Sequence, residues 1–87
     1  MAELNWEIIG SNIAEAREAL QSIEARVRGG ESITEVEFQI AMQHAFHHLN
    51  FAWNARHWPL EQYANLTAAD FEASRRLPVD LEFTDQR

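Results

Sequence analysis

The stretch between Gly29-Gly30 and Pro59 constrains this chain most, because its apolar residues fall on more than one side of a helix. Ser32-x-x-Glu35 and Thr34-x-x-Glu37 each form a capping box, and Pro59 biases the residue before it away from helical geometry. The spacing therefore predicts a helix over about 34–58. Its main apolar face holds Phe38, Ala41, Met42, Ala45, Leu49, Ala52 and Trp53. Glu35, Gln39, Gln43, His47, Asn50, Asn54 and His57 form a polar stripe. The remaining face mixes Ile40, Phe51 and Trp58 with Glu37, His44 and His48. A helix with apolar groups on two flanks needs two neighbours.

One neighbour precedes it. Trp6, Ile9, Ile13, Ala16, Leu20, Ile23 and Val27 are spaced alternately by three and four, the seam of a helix packed on another helix. Glu15, Glu18, Ser22 and Arg26 lie opposite. This predicts a helix over about 5–28, ended by Gly29-Gly30, where glycine tolerates a left-handed turn. So short a connection predicts an antiparallel hairpin whose arms are each about 35 Å long.

The last third carries weaker signals. Pro59 to Asn65 reads as a turn of helix with Leu60 and Tyr63 facing in. Thr67-x-x-Asp70 caps a short helix over about 67–76, anchored by Phe71 and Leu66. Leu77, Val79, Leu81 and Phe83 then alternate with polar residues, which predicts an extended tail over 77–87 laid across the helices. The fold class expected is all-α: one domain over 1–87, a hairpin with short C-terminal helices and a tail. A homodimer would complete a four-helix arrangement and cover Ile40, Phe51, Trp58, Leu81 and Phe83.

Composition narrows the function classes. Fourteen acidic residues against seven basic ones, all arginine, give a net charge of -7. Such a surface repels phosphate backbones and anionic lipid head groups, which argues against nucleic-acid and membrane partners. No apolar run approaches the roughly 20 residues that span a bilayer. Glu3 and Glu7 stand where a secretion signal would be basic and then apolar. With no cysteine there is no disulfide, thiolate metal site or thiol nucleophile, which fits a reducing cytoplasm.

The best candidate for chemistry is Glu37, His44 and His48, at separations of seven and four on one helix line. Imidazole and carboxylate donors suit a divalent metal such as zinc or iron. Glu37, however, lies about 10 Å along the axis from His44, so a further ligand has to come from another element or a second subunit. The plainer reading is that these are border positions of a half-exposed face, and the lack of any Glu-x-x-His pair favours it. His47, Asn50, Asn54 and His57 read either as a solvated face or as a polar groove for a small ligand. Trp53 and Trp58 point about 140° apart and so cannot sandwich one ring. No nucleophile triad or glycine-rich phosphate loop is legible. The chain therefore reads as a small acidic interaction or regulatory protein acting through its second helix and tail, with enzymatic activity left open. A metal- or small-ligand-binding protein is the alternative.

Overall fold

A computed structural model describes residues 3–82. It contains four helices: α1 (Trp6–Arg28), α2 (Glu35–Asn54), α3 (Leu60–Ala64) and α4 (Ala68–Arg75). Among the described residues there is no strand. The two long helices pack against each other, α4 packs on α2, and α3 touches α1.

Local chemistry explains the helix ends. Asn5 caps α1, its side-chain oxygen accepting the Ile8 N–H. At the other end Gly30 adopts φ 74°, which a side chain would strain. Of the two capping boxes before α2, the chain uses Thr34 with Glu37. Thr67 and Asp70 form the second box, at the start of α4.

The second helix ends at Asn54, four residues short of the expected end. Its downstream carbonyls are diverted to the start of the chain. Asn5 donates its backbone N–H to the Arg56 carbonyl at 2.7 Å and its side-chain amide to the Trp58 carbonyl at 2.9 Å. The Arg56 guanidinium donates to the Trp53 carbonyl in the last turn. These contacts put the start of α1 beside the end of α2.

Phe51 and Trp58, expected to need a second copy, are covered by their own chain. Phe51 is 4% exposed, packed with Ile8 and Ala55. The Trp58 and Tyr63 rings meet it edge-on, each at 5.7 Å between centroids. Residues 55–58 turn back and bring α3 over this flank, supplying the second neighbour from within. Ile40 remains exposed.

The C-terminal segment also differs from expectation. Leu66 and Phe71 are each 42% exposed, Phe71 lying beside the His47 ring, and the fully buried residue of α4 is Ser74. Leu77 and Val79 stand in solvent, so the described part of the tail is not laid down by its apolar residues. It is tied by polar contacts: the Asp80 carboxylate accepts from Arg56 at 2.7 Å and from the Trp53 indole at 2.9 Å. Arg56 also stacks on the Trp53 ring, 3.9 Å from its centroid. Leu81 lies at the margin of exposure, and Phe83 falls outside the described residues.

The two donors, Arg56 foremost, hold the Asp80 carboxyl below the usual carboxylate range. With the folded value below the unfolded one, the tie contributes fully above about pH 4 and is lost as pH falls through the folded value. Trp53 fluorescence is therefore expected to change on acidification below about pH 4. In Asp80→Asn that step should be absent.

Candidate functional site

Two grooves run along the α1–α2 pair, and Ile23 is the one residue lining both. The first is the more polar of the two, with Glu15, Glu18, Ser22, Arg26, Glu37 and His44 set among Ala19, Ile23, Ile40 and Ala41. The second is apolar and continues past Ile13 and Leu49 to Leu4, Trp6 and Trp53.

His44 lines the polar groove, and His48, one turn further along α2, meets it edge-on with ring centroids 4.9 Å apart. Their expected companion, Glu37, is engaged elsewhere. It takes part in the α2 capping box and pairs with Arg26 of α1 at 2.7 Å. The Thr34 backbone N–H, with Arg26 second, keeps its carboxyl below the ordinary range. Glu15 of α1 joins the histidines instead: one donor atom from each of Glu15, His44 and His48 lies within 4.8 Å of the others. Read alone, α1 puts Glu15 on its solvent side. The helix register brings it across. Asn12 meets His48 and Arg26 meets Glu37, which places Glu15 level with the histidine turns.

His48 is held from behind. Asn12, 3% exposed, donates its amide N–H to the Ile8 carbonyl at 2.9 Å, which leaves its oxygen facing His48 Nδ1 at 2.9 Å. An amide oxygen only accepts, so Nδ1 carries the proton and Nε2 keeps a free lone pair. Burial, and then the neighbouring His47 and His44, lower the pKa of His48 and favour its neutral form.

Of the residues read as a polar ligand groove, His47 and Asn50 line one small pocket with Phe46 and Arg75, and Asn50, Asn54 and His57 each hydrogen-bond backbone carbonyls of the chain. Asn54 donates to the carbonyls of Arg76 at 2.7 Å and Ser74 at 2.9 Å. Asn50 donates to the Arg76 carbonyl at 2.9 Å and reaches those of Ser74 and Arg75. Together they satisfy carbonyls that the end of α4 leaves open, a structural use for two residues that cost helix propensity. His47 sits among the rings of His48, Phe51 and Phe71. His57 Nδ1 donates to the Glu3 carbonyl at 3.1 Å. The Asn50→Ala, Asn54→Ala double variant is expected to weaken α4 docking by about 1–3 kcal/mol. Hydrogen exchange would show faster amides in α4 with the middle of α1 unchanged.

Comparison with protein-family models, with curated proteins and with solved structures finds no match. None of the described helices is long and apolar enough to cross a membrane.

Proposed function

We propose that the chain is a helix-pairing interaction protein that works as a homodimer, two hairpins closing a four-helix bundle over the apolar groove. One observation carries this reading. Trp6, Ile13, Leu20 and Val27, seven residues apart on α1, are 68, 49, 41 and 62% exposed, while Ile9 and Ala16 between them are buried. A heptad seam normally buries both of its positions; here α2 covers one, and the other awaits a helix partner.

The occupant favoured is a second copy. Leu49 and Phe38 of α2 lie within about 20° of each other on the same apolar side and are half exposed, so the chain offers a two-helix seam complementary to itself. The exposed parts of these six side chains come to on the order of 600 Å² per copy, near the roughly 800 Å² per partner of a stable interface. The interface therefore uses α1 and the Leu49 side of α2, not the Phe51 and Trp58 flank. The absence of cysteine suits action in a reducing compartment such as the cytoplasm.

Sedimentation equilibrium at micromolar concentration tests the reading. The expected mass is twice the 10.1 kDa of one chain. Each copy carries a charge of -7, so self-association should tighten as salt screens the repulsion, whereas a basic partner would bind more weakly. A single-chain mass at every concentration would remove the homodimer.

A further inference from the structure

We propose that Glu15, His44 and His48 bind one divalent transition-metal ion of the zinc class. Glu15 and His44 line the polar groove and none of the three lines the apolar one, so the site does not depend on dimerisation. Three donors of suitable type, one from α1 and two from α2, already stand within 4.8 Å of one another. Tetrahedral zinc holds its donors about 3.3 Å apart, given bonds of about 2.0–2.1 Å. Glu15 and His44 are exposed and able to rotate inward by that difference.

The strongest support comes from behind the site. Metal-bound histidines usually donate their second ring N–H to a fixed acceptor, which sets the tautomer and aims the ligand nitrogen. Buried Asn12, itself locked to the Ile8 carbonyl, performs this task for His48. Two imidazoles beside one carboxylate select zinc, cobalt or nickel over magnesium or calcium, which prefer all-oxygen sites. Glu15 offsets part of the ion's charge, and Glu18 in the same groove adds to the field that draws a cation in. Three protein ligands leave the fourth position to water or a small anionic ligand.

Titration calorimetry of the full chain with zinc chloride is expected to show one ion per chain, with Kd at or below about 1 μM. Magnesium chloride should give no heat. Glu15→Gln and His44→Gln, both at exposed positions, should each weaken zinc binding by about tenfold or more, and Asn12→Ala by about 10–100-fold. His57→Gln is the control and should bind zinc like the parent. Circular dichroism verifies folding; if Asn12→Ala unfolds, the two exposed variants decide. Absence of zinc binding, unchanged binding in Glu15→Gln or His44→Gln, an equal loss in His57→Gln, or half an ion per chain would each overturn a site held by these three residues.

Discussion

Leu20→Asp is expected to abolish the proposed homodimer and leave a single chain of 10.1 kDa. Leu20 is one of the seam residues α2 covers only in part, at 41% exposed, so within one chain the carboxylate reaches water and the fold is retained at some cost in stability. In the closed bundle two such carboxylates, one per copy, would be buried among apolar side chains without partners. At about 2–3 kcal/mol each, the dissociation constant rises by about a thousandfold or more. Sedimentation equilibrium with circular dichroism separates loss of assembly from loss of fold. Val79→Asp, at a fully exposed tail position, should leave the mass unchanged. If Leu20→Asp remained a dimer, the heptad face would not be the interface.

Phe51→Ala is the counterpart inside the chain. Its ring fills the space among Ile8, Ala55, Trp58 and Tyr63, and the smaller side chain leaves a cavity that the neighbouring rings only partly close. Phe to Ala at a buried site costs about 3–5 kcal/mol, a large part of the roughly 5–15 kcal/mol that stabilises a small domain. The melting temperature should fall by about 15 °C or more. At five residues α3 is too short to persist alone, so it should undock first and Tyr63 become mobile. Phe51→Leu, nearer in volume, should cost less than about 2 kcal/mol. A shift in Phe51→Ala below about 5 °C would mean that this ring does not hold the α3 flank.

Much of the fold is legible along the chain because its causes are local. The α1 stripe, the glycine pair and the Thr34–Glu37 and Thr67–Asp70 boxes each act within a turn or two, and the helices start where they indicate. The early end of α2 was not legible. It depends on Asn5 taking the Arg56 and Trp58 carbonyls, a contact across more than fifty residues. The same distance hid the uses of Asn50 and Asn54, whose mid-helix cost shows in the sequence while the α4 carbonyls they satisfy do not.

The candidate metal site divides in the same way. His44 and His48 are recognisable as a pair because one turn of helix separates them. Helix spacing sets Glu37 too far along the axis to join them and calls for a ligand from another element or a second subunit, and Thr34 and Arg26 claim the Glu37 carboxylate. Glu15 is found only when the register of α1 against α2 is known, since an isolated helix turns it toward water.

By itself, the sequence determined where helices form and which of their faces are apolar, since spacing and caps act through bonds a few residues long. Only the tertiary structure decided which apolar face the chain covers for itself. Closing α3 over Phe51 hid one flank and left the Trp6–Val27 row and Leu49 in the open. That choice rests on packing between distant segments, whose free energy depends on all of them at once.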